Sequence, residues 1–133
     1  MSRYQPALNI PELVALDVHT HASTSERTAR DPYNMMLDEA MAKYFKSRMP
    51  PTIPEVAQFY REQKMAAVIF TVDAEASFGG ARISNEEIAE VAAQHNDVLI
   101  PFASIDPAKG KMGAREARRL ISDYGVRGFK FHP

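Results

Sequence analysis

The sequence predicts an α/β protein built around a parallel sheet, and two observations support that fold class. Short apolar runs rich in β-branched residues occupy residues 13–18, 66–72, 98–105 and 126–131, and each is typical of a strand. Between these runs the apolar residues recur with helical spacing and are bounded by helix start and stop signals. Strands that alternate with helices form right-handed crossovers, which makes the strands parallel.

The composition indicates one domain, over residues 1–133, that binds a small molecule. The chain carries 16 basic and 17 acidic residues, and this balance argues against nucleic acid or an anionic membrane as a partner. It has no cysteine, so His, Asp, Glu and carboxylated Lys remain as metal ligands. No export leader and no apolar stretch of about 18 residues is found, so we expect a cytoplasmic protein.

The first strand is followed by an insertion at about residues 22–50, because the connection to the second strand is far longer than a crossover needs. Residues 22–34 are polar and unpatterned, which suits a lid or substrate loop above the strand end. A disordered surface excursion is the alternative. Apolar residues at helical spacing predict a helix over residues 35–47 within the insertion.

Capping signals place the next two helices. Thr52 and Glu55 form a capping box, which predicts a helix over about residues 54–64. Ser84 and Glu87 repeat the capping pattern at the start of a second helix. Both helices present an apolar stripe, as crossover helices that cover a sheet do.

The residues that end the remaining helices and strands are interpreted as capping or turn residues. A third helix is predicted over residues 114–124, closed by Gly125 in a left-handed conformation. His95 falls in the last turn of the preceding helix, where it offsets the helix dipole and is not a site residue. Asp73 and Asp106 follow the second and third strands, and we interpret both as turn residues.

His19 and His21 at the end of the first strand are the candidate metal ligands. Alternation along a strand predicts that Asp17, His19 and His21 leave the same face, so both imidazoles can reach one ion. Neutral imidazole suits Zn, Fe, Mn or Ni. The alternative is a pair of histidines satisfied by hydrogen bonds. Their position favours the metal, because reactive groups lie beyond the carboxyl ends of parallel strands.

Lys130 and His132 are the candidate catalytic residues on the fourth strand. If Phe129 and Phe131 pack outward under the helices, the same alternation points Lys130 and His132 into the mouth of the sheet. Lys130 has three interpretations: a carboxylated lysine that bridges two metals, a cation that binds a substrate carboxylate, or a side chain that reaches solvent at the rim. His132 is a metal ligand or polarises a substrate carbonyl, or it is a frayed residue without a role.

Three segments resemble one family. Residues 16–21, 100–107 and 125–133, in that order, are similar to the strand ends of the amidohydrolase-related family, the branch of the amidohydrolase superfamily that includes aminocarboxymuconate-semialdehyde decarboxylase. The resemblance implies that the chain is the N-terminal half of a (β/α)8 barrel, with about four βα units.

The resemblance also implies a divalent metal, usually zinc, on His19 and His21. The family completes this site with a histidine from strand five and an aspartate from strand eight, and neither has a counterpart here. Lys130 stands where binuclear members of the superfamily carry a carboxylated lysine.

The expected function is that of a metal-dependent hydrolase, in which a metal-activated water attacks a carbonyl substrate such as a β-ketoacyl or carboxylated aromatic compound. A decarboxylase or other lyase of the same fold is one alternative, and a non-catalytic α/β binding module is another. An intact doubly wound domain of four strands is the competing fold.

Half of a barrel leaves the first and fourth strands as unpaired edges. Three arrangements would cover them: a C-terminal half-barrel on a longer chain, a homodimer that closes the barrel, or a separate chain that supplies the other strands. We favour the first of these.

Overall fold

A computed structural model of the chain describes residues 2–46, 49–78 and 81–132. Within those residues four parallel strands form one curled sheet: β1 (Ala15–His21), β2 (Met65–Phe70), β3 (Leu99–Ser104) and β4 (Gly128–Lys130). Their spatial order follows their order in the chain. A doubly wound sheet would reverse this order at a switch point, so the sequential order identifies half of a (β/α)8 barrel.

The helices between the strands confirm the predicted alternation. The described residues form α1 (Pro32–Phe45), α2 (Ile53–Glu62), α3 (Glu75–Phe78), α4 (Asn85–Gln94) and α5 (Gly110–Arg119). The predicted helix over residues 35–47 corresponds to α1, although Ser47 lies outside the described residues. The third predicted helix begins earlier than expected, at Gly110, and continues through a π-helical turn over Leu120–Tyr124. Gly125 ends that turn at a φ of 75°, as predicted.

The capping box that begins α2 is confirmed. The Thr52 hydroxyl accepts a hydrogen bond from the Glu55 backbone N–H, and the Glu55 carboxylate accepts one from the Thr52 N–H at 2.7 Å. Ser84 caps α4 through the Glu87 N–H, but the Glu87 carboxylate accepts hydrogen bonds from the Ser25 hydroxyl at 2.8 and 2.9 Å instead of closing the box. The first turn of α4 therefore binds the insertion through the contact between Glu87 and Ser25.

Further contacts attach the insertion to the rest of the molecule. Arg27 pairs with Glu90 of α4 at 2.5 Å, and the backbone at Thr24 forms a bridge with Thr52. Arg30 pairs with Asp38 inside the insertion. These contacts place residues 23–30 beside the amino end of α4, close to the mouth of the half-barrel. The role of this segment as a lid stays a prediction.

The core lies between the sheet and its helices. One cluster joins α2 and α4 to the outward side chains of β2, including Ala67 and Ile69, and a second joins Leu120 and Val126 to Ala103 of β3. The alternate residues of β2 (Ala66, Val68 and Phe70) point to the opposite, concave face and are buried as well, whereas Val18 of the outer strand β1 is 68% exposed.

Each outer strand has one neighbour in the described part of the chain, β2 for β1 and β3 for β4. The two edges expected of a half-barrel are therefore present. No helix within the described ranges is long and apolar enough to cross a membrane.

Candidate metal centre

The imidazoles of His19 and His21 meet at the carboxyl end of β1. Their Nε2 atoms are 3.1 Å apart, and the rings stack with centroids 5.2 Å apart and planes 26° from parallel. At this distance one nitrogen donates a hydrogen bond to the other. The predicted pairing of the two histidines on one face is therefore present in the structure.

Asp17 does not share their face, which corrects the prediction from simple alternation. Asp17 pairs with Ala67 and Thr20 pairs with Ile69, so β1 has one residue more than β2 between these two points. This irregularity is a β-bulge, which breaks the alternation of side chains. As a result Asp17 and Thr20 both turn toward α2, while the two imidazoles lie on the concave face.

Asp17 and Thr20 bind the same hydroxyl group of α2. The Tyr60 hydroxyl donates a hydrogen bond to Asp17 Oδ2 at 2.5 Å and lies 3.1 Å from Thr20 Oγ1. The hydrogen bonds from Tyr60 and from the His19 backbone N–H hold the pKa of Asp17 below its usual value. Burial, together with the Asp17 carboxylate, raises the pKa of Tyr60.

Phe70 at the end of β2 forms the floor of the site. Its ring centroid lies 5.5 Å from that of His19 and 5.0 Å from that of His21. Lys130 reaches the same floor from β4, with Nζ 5.4 Å from the Phe70 centroid. Burial lowers the pKa of His21, and the neighbouring His19 and Lys130 lower it further. Neutral imidazole is the form that binds metal.

The predicted orientation of Lys130 agrees with the structure. Phe129 packs against the outer cluster of Leu120 and Val126, and its ring lies 6.4 Å from that of Phe131. The alternating Lys130 therefore faces the concave side. His132 is exposed and makes no hydrogen bond or ring contact with the described residues, so its catalytic role stays a prediction.

Within residues 2–46, 49–78 and 81–132, no cluster of three or more His, Cys, Asp or Glu side chains could hold a metal ion. The histidine pair nonetheless fits an ion geometrically. If each nitrogen lies about 2.1 Å from the ion, two nitrogens on a tetrahedral ion are roughly 3.4 Å from each other. Two nitrogens on adjacent positions of an octahedral ion are roughly 3.0 Å from each other. The observed 3.1 Å falls within that range.

Asp73 and Asp106 take the turn positions expected of them. Asp106 accepts a hydrogen bond from the Ala108 N–H at 2.9 Å, and Asp73 accepts one from the Glu75 N–H at 3.2 Å. Asp73 does more than this, because it also accepts hydrogen bonds from the Asp106 N–H at 3.0 Å and from Lys109 Nζ at 2.5 Å. It joins the loops that follow β2 and β3.

Sequence reasoning missed Tyr60 and Phe70 as parts of the site. Tyr60 belongs to the apolar stripe of α2, and its hydroxyl was the only feature that set it apart. Phe70 is one of several apolar residues of β2, and its role follows from its pairing with His21, which the sequence does not show.

A family model described as Amidohydrolase matches residues 16–133 of the chain. The match runs from β1 to the end of β4 and includes His19, His21, Lys130 and His132. No curated protein and no solved structure matches the chain.

Proposed function

We propose, from the premise that this chain belongs to the amidohydrolase family, that His19 and His21 hold a divalent metal ion used to hydrolyse a carbonyl compound. The observation that carries the proposal is the 3.1 Å separation of the two Nε2 atoms at the carboxyl end of a barrel strand. Zinc is our first choice of ion, because neutral imidazole nitrogen suits it.

When bound, a divalent ion supplies a Lewis acid that lowers the pKa of a water molecule and polarises a carbonyl oxygen. Phe70 covers one side of the imidazoles, with its ring centroid 5.5 Å from that of His19 and 5.0 Å from that of His21. Lys130, whose ammonium group lies over that ring, is proposed to bind an anionic group of the substrate. His132 is proposed to polarise the substrate carbonyl.

A β-ketoacyl or carboxylated aromatic compound is the substrate class that we propose, in keeping with the resemblance to the aminocarboxymuconate-semialdehyde decarboxylase-like branch. A β-ketoacyl compound offers a carbonyl for the metal, and a carboxylated aromatic compound offers a carboxylate for Lys130. A decarboxylase would use the same residues, so product analysis must separate hydrolysis from loss of carbon dioxide.

A catalytic zinc site uses about three protein ligands and one open position. We propose that the remaining ligands lie on further strands that pair with the edges of β1 and β4. A continuation of this chain or a second copy of it would provide those strands.

Equilibrium dialysis of the purified chain against Zn²⁺, with metal content read by plasma mass spectrometry, tests the proposal. We expect about one ion per chain or per dimer in the wild type and loss of that ion in His19→Ala and in His21→Ala. His95→Ala is the matched control, because His95 precedes β3 at the opposite end of the sheet. It should bind as the wild type does. Failure of the wild type to bind Zn²⁺ above the His19→Ala level would refute the metal site.

A further inference from the structure

The bulge in β1 turns Asp17 away from the face that carries His19 and His21, and within the described part of the chain it lies on an edge strand. Val18 and His19 fall between the paired positions Asp17 and Thr20, while β2 offers only Val68 opposite them. A bulged residue loses its place in the ladder of backbone hydrogen bonds. Within the described part of the chain β2 is the one strand that pairs with β1, so contacts outside the sheet must stabilise the bulge.

Side chains on the outer face provide those contacts. Asp17 Oδ1 accepts a hydrogen bond from the His19 backbone N–H at 2.9 Å, which satisfies the donor that the bulge releases. Asp17 Oδ2 accepts the Tyr60 hydroxyl proton at 2.5 Å. Because the tyrosine proton is used in this way, Thr20 Oγ1 donates its own proton to the Tyr60 oxygen at 3.1 Å. The hydroxyl thus binds the strand on both sides of the bulge.

Tyr60 is itself held firmly. Its side chain is buried in the cluster between α2 and the sheet, and its ring packs edge to face against Phe59 at 5.3 Å. The helix that carries it begins with the capping box of Thr52 and Glu55. The position of the Tyr60 hydroxyl relative to β2 is therefore well defined.

We propose that Asp17, Thr20 and Tyr60 form a positioning clamp that sets the separation of the His19 and His21 imidazoles. This proposal rests on the proposed function for its consequence, metal affinity, but not for its geometry. The clamp acts through the backbone of β1, from the face opposite the imidazoles, and touches neither ring. In metal sites, groups that orient a ligand are typically worth about 10- to 100-fold in affinity.

Tyr60→Phe tests the clamp, because it removes one oxygen atom and keeps the buried ring. Tyr44→Phe is the matched control, since Tyr44 is 81% exposed on α1. The first readout is the set of ¹H–¹⁵N ring correlations of His19 and His21 in the metal-free chain. The second is the Zn²⁺ dissociation constant, measured by competition with a chelating dye. We expect Tyr60→Phe to shift the ring signals and to weaken Zn²⁺ binding by about 10-fold, whereas Tyr44→Phe changes neither.

Asp17→Asn and the double variant with Tyr60→Phe complete a cycle. If Asp17 and Tyr60 act as one unit, the double variant should bind Zn²⁺ at most about 2-fold more weakly than the single variant that binds it less well. Ring signals of His19 and His21 that stay unchanged in Tyr60→Phe, with only the melting temperature lowered, would overturn the clamp. Shifted ring signals in a chain whose wild type binds no Zn²⁺ would support the clamp and refute the proposed function.

Discussion

The ammonium group of Lys130 lies over the face of the Phe70 ring, with Nζ 5.4 Å from the ring centroid, and the same ring touches both site histidines. One aromatic side chain of β2 therefore connects the fourth strand to the first. Its consequence is electrostatic, because Lys130 is a positive charge close to His21 and lowers the pKa of that imidazole.

Lys130→Met should raise the pKa of His21. Methionine keeps most of the side-chain length but removes the charge, whereas burial and His19 continue to lower the pKa. An NMR titration of the His21 ring protons measures the change directly. Lys43→Met, a change of the same kind on α1, should leave the titration unaltered. A His21 titration that is identical in Lys130→Met and the wild type would contradict this account.

The fold was largely predictable because its determinants are local. A few neighbouring residues determine each of the features that define the fold: the capping box of Thr52 and Glu55, the left-handed Gly125 and the apolar strands. These features fix the alternation of strands and helices. The alternation in turn predicts that His19 and His21 lie at the carboxyl end of a parallel strand.

The details that the sequence did not reveal depend on residues far apart in the chain. The bulge between Asp17 and Thr20 exists only in the register with β2, so alternation along β1 alone placed Asp17 on the wrong face. Likewise Glu87 was expected to close a capping box, but Ser25 binds its carboxylate from the insertion. A local pattern cannot show which of two available partners a carboxylate takes.

Asp73→Asn should destabilise the chain at neutral pH and should do so less in acid. The Asp73 side chain is fully buried. Burial raises its pKa, but hydrogen bonds, the strongest from Lys109, outweigh burial and leave the pKa below its usual value. The carboxylate therefore stabilises the fold above a pH of about 4, where the unfolded group is ionised, and this contribution is lost as the pH falls through the folded pKa.

Urea unfolding of both proteins between about pH 2 and pH 7 measures this effect. Loss of one partner of a buried ion pair costs about 3 kcal/mol, so we expect a difference of that size at pH 7. The difference should shrink as the pH falls below about 4. A difference that stays constant over this range would show that the charge of Asp73 does not stabilise the fold.

Tyr4→Phe should stabilise the chain, and more strongly at high pH. The Tyr4 side chain is buried, and its hydroxyl has no hydrogen-bond partner within the described part of the chain. Such a group costs about 1 kcal/mol or more, which phenylalanine would recover. Burial raises the pKa of Tyr4 to about 12, although Arg127 opposes the shift.

The unfolded tyrosine ionises near pH 10, so the wild type should lose up to about 3 kcal/mol as the pH rises from about 10 to 12. The phenylalanine variant lacks this loss. Urea unfolding at about pH 7, 10 and 12 provides the comparison, with Tyr44→Phe as the exposed control. A variant that is less stable than the wild type at pH 7 would mean that the hydroxyl is hydrogen bonded in solution.

Gly128→Ala should destabilise the start of β4 through contact with its neighbour on β3. A Cβ at this position would lie 2.4 Å from Cζ of the Phe102 ring, so the ring must move. Overpacking of this kind costs about 1–3 kcal/mol. Phe102→Leu replaces the obstructing ring with a smaller side chain. Urea unfolding of the two single variants and of the double variant gives a double-mutant cycle. We expect the double variant to be more stable than the sum of the single changes predicts, by about 1 kcal/mol. Additive losses would show that the clash is relieved by movement of the backbone.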